Sequence, residues 1–259
     1  MRLTESPKRS SAAFAGGAII GTLGGLIGLG GAEFRLPLLI GPFSFAALQA
    51  VILNKAMSLV VVASALPFRA ATVPFETIAS HWLIIVNLLA GSLLGAWLGA
   101  GWATRLSSQN LHRIIAILLV AIAIILLFGH ETTTTAPMLV GTLQAVVGVI
   151  AGFAIGVVAS LLGVAGGELL IPTFILLFGV DVKLAGSLSL AVSLPTMLVG
   201  FARYSQDQSF GVLRNNGQFV AVMALGSIVG AFIGGRLLGI VPSFALMQNA
   251  RSCLSRLPL

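Results

Sequence analysis

Long apolar runs with almost no charge are the feature of this sequence that most restricts its fold. Of 259 residues, 58% are apolar and only 8% are charged, and the mean hydropathy is +1.08. Soluble domains carry about 25% charged residues. Fourteen basic and seven acidic side chains cannot cover the surface of a soluble core of this size. We therefore expect lipid to surround most of the chain, which excludes a water-soluble enzyme.

Several of the apolar runs approach the ~20 residues that a helix needs to cross a bilayer. Two runs are too long for one helix across a ~30 Å hydrocarbon core, and each contains a glycine cluster followed by a proline. We expect these two, 12–40 and 138–178, to be broken helices or hairpins. The other runs cover 46–68, 82–102, 114–128, 184–201 and 219–238.

The basic residues are dispersed and form no patch. They precede the first run or occupy short gaps between later runs, as Arg105 and Arg203 do. This distribution is typical of the cytoplasmic loops of membrane proteins, so the formal charge of +7 does not predict a nucleic-acid partner. The single cysteine, Cys253, excludes an intramolecular disulfide, and no Cys/His cluster has the spacing of metal ligands.

An internal repeat divides the sequence into two halves. A shift of 135 positions places 28–37 on 163–172 and 91–99 on 226–234, with glycines, a glutamate and a proline in the same order. Two motifs that agree on one shift indicate a duplication. We therefore expect a basic tail, a first membrane repeat, a threonine-rich linker, a second membrane repeat and a polar tail, at 1–11, 12–129, 130–137, 138–242 and 243–259.

The predicted fold class is an all-α polytopic membrane protein with two homologous repeats of about four helices each, containing glycine-broken helices. The shift predicts a partner for the run 114–128 near residue 249, but the chain there is polar and short. We therefore expect the last helix of the second repeat to be missing.

The orientation of the repeats depends on the broken segments. If these segments enter the membrane and return to the same side, the repeats are inverted and the basic loops at Arg105 and Arg203 share one side. If each crosses once, the repeats are parallel. The basic residues favour inversion.

Glu33 and Glu168 are the leading functional candidates. An ionisable residue inside a membrane segment is costly unless it faces a cavity or a partner. Each of these glutamates follows a glycine cluster and precedes a proline by four positions. Glycine allows the helix to break, and the helix that restarts presents free N–H groups and its positive dipole end. Two interpretations stay open: the glutamates line a site where two breaks converge, or each caps its own helix.

Other polar residues also lie inside apolar runs. Arg35, which has Leu170 at its repeat position, either pairs with Glu33, offsets the charge of an anion, or extends to the membrane interface. Four more contact either a substrate or a neighbouring helix: Asn54, Lys55, Ser187 and Ser189.

No catalytic residue and no cofactor are expected. The glycine cluster fails the dinucleotide fingerprint, because position 33 is a glutamate, and no ATP-binding loop motif is present. The aspartates, Asp181 and Asp207, lie at segment ends, and no histidine lies mid-span beside a serine. A carrier or channel is therefore favoured over an intramembrane protease.

The two glycine, glutamate, proline motifs, the pair Asn54-Lys55 and the Gly-Ser-x-x-Gly-Ala-x-x-Gly helix resemble the TauE/SafE sulfite exporter family over residues 12–242. The resemblance implies a multi-pass permease of a bacterial inner membrane, with about eight helices. It also implies a sulfur-containing anion, such as sulfite or sulfoacetate, as substrate.

Together, the motifs and the resemblance predict how an anion is carried. The anion binds between the restarting helices, one glutamate couples its movement to protons, Lys55 or Arg35 offsets its charge, and the two halves rock around the site. The alternatives are a passive anion channel of the same fold and a membrane scaffold without transport. The predicted binding residues are Gly30, Gly31, Glu33, Asn54, Lys55, Gly166, Gly167, Glu168, Ser187 and Ser189.

Overall fold

The computed structural model describes residues 7–27, 31–70, 75–128 and 139–238, and every regular element in these ranges is helical. This confirms the all-α class. The predicted linker at 130–137, the polar tail at 243–259, the missing last helix and Gly30 lie outside the described residues.

The described residues form eleven α-helices, two of which have six residues or fewer. In the first half they are α1 Pro7–Ile27, α2 Ala32–Ile40, α3 Ala47–Ala70, α4 Phe75–Ser80, α5 Trp82–Ala103 and α6 Ser108–Phe128. In the second half they are α7 Gly141–Leu162, α8 Gly167–Phe178, α9 Val182–Tyr204, α10 Gly211–Asn215 and α11 Gly217–Leu238.

Several of these helices meet the requirements of a membrane span. Within the described ranges, four are long and apolar enough to cross a bilayer. A fifth span results if the helical segment Gln208–Asn215, which includes α10, and α11, bent by 71° against each other, count as one. Large apolar side chains on their outer faces are exposed, as Leu83 (65%) and Ile150 (62%) illustrate. Such a surface is stable in lipid and unstable in water, so the chain is a multi-pass membrane protein.

The two overlong runs form helical hairpins. Gln144, near the start of α7, donates a hydrogen bond to the carbonyl oxygen of Leu177, near the end of α8, at 2.8 Å. Helix α8 therefore returns along α7. Helix α2 returns along α1 in the same way, because Gly16 and Gly31 of the first hairpin lie against Leu38 and Ile20. The expectation of broken helices or hairpins is confirmed.

Glycines in the left-handed conformation make these returns feasible. The residue before α2, Gly31, has φ 71°, and the residue before α8, Gly166, has φ 79°. Gly163, which ends α7, has φ 66°. Side chains with a Cβ rarely adopt such angles, so the glycine clusters in the sequence specify where each helix breaks and turns back.

Helix starts in the second half follow those in the first at a constant distance. Helices α8, α9 and α11 begin at residues 167, 182 and 217, while α2, α3 and α5 begin at 32, 47 and 82. Each pair differs by the 135 positions found in the sequence. The duplication itself stays a prediction, and these boundaries agree with it.

Two helix pairs pack backbone against backbone, and each pair joins the two halves. Helix α5 lies along α7, where a Cβ at Gly95 would collide with the backbone of Phe153 and one at Gly152 with that of Leu88. Helix α1 lies along α11, where a Cβ at Gly230 would collide with the backbone of Ala18. Small residues permit such close approach between membrane helices.

The two basic loops lie at the same end of the bundle. The Arg203 guanidinium, at the end of α9, stacks 5.3 Å from the ring centroid of Trp97, near the end of α5, and it also lies beside Gly101. Arg105 follows α5 directly. This placement agrees with inverted repeats, and the inversion itself stays a prediction.

A methyl group on Gly95 is expected to destabilise the α5–α7 pair. Gly95→Ala places a Cβ against the Phe153 backbone, which cannot yield as a flexible side chain does, and overpacking typically costs about 1–3 kcal/mol. The matched control is Gly217→Ala, because no atom lies within 4 Å of the Cβ position there. Thermal unfolding in detergent should show a lower midpoint for Gly95→Ala alone; equal midpoints would contradict the close packing.

Candidate functional site

Four buried charged side chains surround the two helix breaks. In the described ranges the buried charged residues are Glu33, Arg35, Lys55 and Glu168, exposed by 8%, 0%, 0% and 1%. Two come from α2, one from α3 and one from α8. Buried charges are retained only where partners or ligands compensate their desolvation, so the surroundings of each indicate what the site can do.

The glutamates of the two halves face each other. Glu33 and Glu168 each occupy the second residue of a returning helix, α2 and α8, and their carboxyl groups interact with one another. The structure therefore brings the two breaks together, as expected of a shared site. Among the described groups, no donor hydrogen-bonds Oε1 of Glu33 or either oxygen of Glu168.

The capping interpretation finds little support in hydrogen bonds. The Glu168 carboxyl lies beside its own backbone N–H, but it forms no hydrogen bond of normal geometry to a described group. The helix-capping residues Gly31 and Gly166 have no side chain to contribute. What both carboxyl groups retain is the electrostatic attraction of a helix N-terminus.

Asn54 connects both breaks to α3. Its side-chain amide donates to the carbonyl oxygen of Ala32 at 3.0 Å and to that of Leu162 at 3.1 Å. Ala32 opens α2, and Leu162 closes α7. One buried side chain thus satisfies a backbone acceptor from each half.

Lys55 caps the end of α7. Its ammonium group donates to the carbonyl oxygen of Ala159 at 3.2 Å and to Ser160 Oγ at 3.5 Å. Nearby, the Tyr204 hydroxyl donates to the carbonyl oxygen of Ser160 at 2.8 Å. A cation at the C-terminal end of a helix stabilises its dipole, so the described contacts of Lys55 are those of a helix cap.

Arg35 is fully buried and only partly hydrogen-bonded. Its Nη1 donates to Ser58 Oγ at 3.3 Å and to Asn54 Oδ1 at 3.5 Å. Its Nε and Nη2 have no hydrogen-bond partner among the described groups. Because the side chain is 0% exposed, it does not extend to the membrane interface. The charge of Glu33 acts on it, although Oε1 of that glutamate receives no hydrogen bond from it.

The predicted serines lie on α9. Ser189 donates to the carbonyl oxygen of Gly186 at 2.9 Å and faces the start of α8, where its Oγ is 4.0 Å from the Cβ position of Gly167. Ser187 is also buried. Residues two positions apart on a helix do not share a face, so the two serines point in different directions.

Several buried polar residues were not predicted from the sequence. Ser58 and Ser193 each follow, by four positions, the repeat-related residues Asn54 and Ser189. An alignment of the two halves would therefore have indicated Ser58 and Ser193 as a repeat-related pair. The contact of Tyr204 with the end of α7 has no such signal, because 44 residues separate it from Ser160.

The described residues offer no metal site, since none of their His, Cys, Asp and Glu side chains form a group of three or more that could hold an ion. The charged and polar groups of the site are instead two cations, two carboxyl groups and the N-termini of two helices. Such an arrangement can hold an anion and a proton.

The family described as "Sulfite exporter TauE/SafE" matches residues 13–248, nearly the whole chain. The chain belongs to the TauE/SafE sulfite exporter family. Comparison with curated proteins and with solved structures gives no match. A TauE/SafE protein is a membrane transporter, so a small anion and the lipid bilayer are the partners that the family implies.

Loss of the Asn54 amide is expected to loosen both breaks. Asn54→Leu leaves the carbonyl oxygens of Ala32 and Leu162 without this donor, and each unsatisfied buried group costs about 1–3 kcal/mol. Backbone amides next to the breaks should then exchange hydrogen faster.

The matched control is Asn87→Leu, which removes a similar bond between α5 and the Ala145 carbonyl oxygen, 2.9 Å long, away from the breaks. Hydrogen exchange measured by mass spectrometry should separate the two variants. Unchanged exchange around residues 31–36 and 163–168 in Asn54→Leu would argue against a connecting role.

Proposed function

We propose that this chain is a secondary transporter that moves sulfite or a related sulfur-containing anion across a bacterial inner membrane, together with protons. The observation that carries the proposal is the meeting of two helix N-termini, a buried arginine and two facing carboxyl groups in a TauE/SafE protein.

Anion binding is supported by the helix dipoles and the hydrogen-bond donors at the two breaks. Helices α2 and α8 both begin at this place, and helix N-termini attract anions through free N–H groups and their dipoles. The glycines Gly31, Gly166 and Gly167 permit close approach of a ligand to the backbone. Asn54 and Ser189 supply polar side chains beside the breaks, while Lys55 adds positive potential from the end of α7.

The proton half rests on the facing glutamates. Two adjacent carboxylates repel each other, and a proton held between Glu33 and Glu168 removes that repulsion. With both carboxyl groups ionised, their two negative charges balance the two positive charges of Arg35 and Lys55. One proton then leaves a single positive charge, which one monovalent anion neutralises. We infer that one proton accompanies each monovalent anion.

Substitution of either glutamate should abolish proton-driven uptake. Proteoliposomes are loaded with the full chain, given an inward proton gradient and supplied with labelled sulfite or a labelled monovalent sulfonate. The intact chain should show saturable, gradient-dependent uptake. Glu33→Gln and Glu168→Gln should lower the uptake rate at least about tenfold. Loss of a side chain that transfers a proton typically lowers a rate by that factor or more.

Glu76→Gln is the matched control, because Glu76 lies exposed on the short helix α4. Liposomes without protein correct for sulfite that crosses after protonation. Flux that does not saturate would identify a channel, and absence of uptake with both substrates would support the scaffold interpretation.

The inferred stoichiometry predicts electroneutral transport. A potential of 100 mV acts on an uncompensated charge with about 2.3 kcal/mol, which corresponds to roughly fiftyfold accumulation. A potassium gradient with valinomycin sets that potential in the same liposomes. Sulfonate uptake by the intact chain should change less than about twofold. A fiftyfold response would show that the anion moves without a compensating proton.

A further inference from the structure

We propose that Arg35 is the docking residue of the site: its Nε and Nη2 donate to two oxygens of a single sulfite or sulfonate group, and this paired contact selects oxyanions over monatomic anions. The proposal rests on the proposed transport function and adds the residue, the number of bound anions and the basis of selectivity.

The first support is the unfilled edge of the guanidinium group. Arg35 is 0% exposed, yet Nε and Nη2 have no hydrogen-bond partner among the described groups. Native proteins rarely leave buried donors unpaired, least of all charged ones. A ligand that enters the site and accepts from both nitrogens accounts for this exception.

The second support is the orientation of that edge. Asn54 and Ser58 engage Nη1 at 3.5 and 3.3 Å, which leaves Nε and Nη2 together on the free side of the planar group. Two parallel N–H groups match two oxygens of one oxyanion. A halide ion has a single centre and cannot make the same paired contact.

The third support is that the described contacts of Lys55, the other buried cation in the described ranges, lie at the end of α7. Lys55 donates to the carbonyl oxygen of Ala159 and to Ser160 at the end of α7. Glu33 interacts with Glu168, and its Oε1 receives no hydrogen bond from Arg35. Of the two buried cations in the described ranges, Arg35 is the one with nitrogen atoms that have no hydrogen-bond partner.

The fourth support is the difference between the halves. The repeat position of Arg35 is Leu170. Ser193, at the repeat position of Ser58, has an Oγ without a partner among the described groups, whereas Ser58 accepts from Arg35. The second half thus has a serine at the corresponding position, Ser193, but a leucine in place of the arginine that would contact it. One docking residue implies one bound anion per chain.

The test measures binding of a labelled monovalent sulfonate to the full chain in lipid nanodiscs, with sulfite and bromide as competitors. Arg35→Lys keeps the charge but loses the paired geometry. We expect sulfonate affinity to fall about tenfold to a hundredfold, while bromide affinity changes less than about threefold. Arg105→Lys is the matched control, because Arg105 lies exposed in a loop. It should leave the sulfonate and bromide affinities unchanged.

A second measurement needs no variant. Ligands that bind the folded state raise its melting temperature, so sulfite and sulfonate should stabilise the intact chain at concentrations where bromide of equal ionic strength does not. If Arg35→Lys unfolds, this comparison decides the selectivity.

Unchanged sulfonate affinity in a folded Arg35→Lys protein would overturn the docking role and leave the transport proposal intact. Equal stabilisation by bromide would overturn the selectivity. Failure of the intact chain to bind or transport any sulfur anion would overturn the proposed function, and the docking role with it.

Discussion

The side-chain amide of Asn54 holds together the parts on which the site depends. It donates to the carbonyl oxygen of Ala32 in one half and to that of Leu162 in the other. A helix that ends inside a bilayer exposes backbone acceptors that lipid cannot satisfy, so a broken helix persists there only where other groups supply donors. Lys55 and Tyr204 supply more of them to the end of α7. The positions of both glutamates follow, since each lies one residue into a helix that begins at these breaks.

The close-packed helix pairs restrict how the protein can move around that site. Helices α1 and α11 belong to different halves, as do α5 and α7, and both pairs touch through glycines at their backbones. Sliding or separating such surfaces would expose the contacts that stabilise them. This close packing opposes the predicted rocking of the two halves, which stays a prediction. If the proposed transporter works by alternating access, units that each combine helices of both halves are compatible with these contacts.

Much of this arrangement could be predicted because it depends on local sequence. Left-handed glycines mark the breaks, and repetition of the glycine, glutamate, proline motif pointed to Glu33 and Glu168. The contacts of Lys55 and Arg35 could not be predicted, because they depend on which helix lies opposite. Asn54 and Leu162 are 108 positions apart, and Lys55 and Ala159 are 104 apart. No periodicity within one helix carries that information. Apolar patterning also left Ser187 and Ser189 equivalent, although helix geometry directs them to different faces.

The unequal charges of the two halves have a mechanistic consequence. A duplicated scaffold with identical residues in both halves would present equivalent sites to the two sides of the membrane. Here α2 carries Arg35, and α8 carries Leu170 at the corresponding position, while both helices retain a glutamate. An anion docked at Arg35 is therefore held by α2, and α8 contributes its N-terminus and a proton-accepting group. If the conformations open to the two sides of the membrane expose α2 and α8 differently, the proposed mechanism requires unequal anion affinities on the two sides, whatever the direction of net transport.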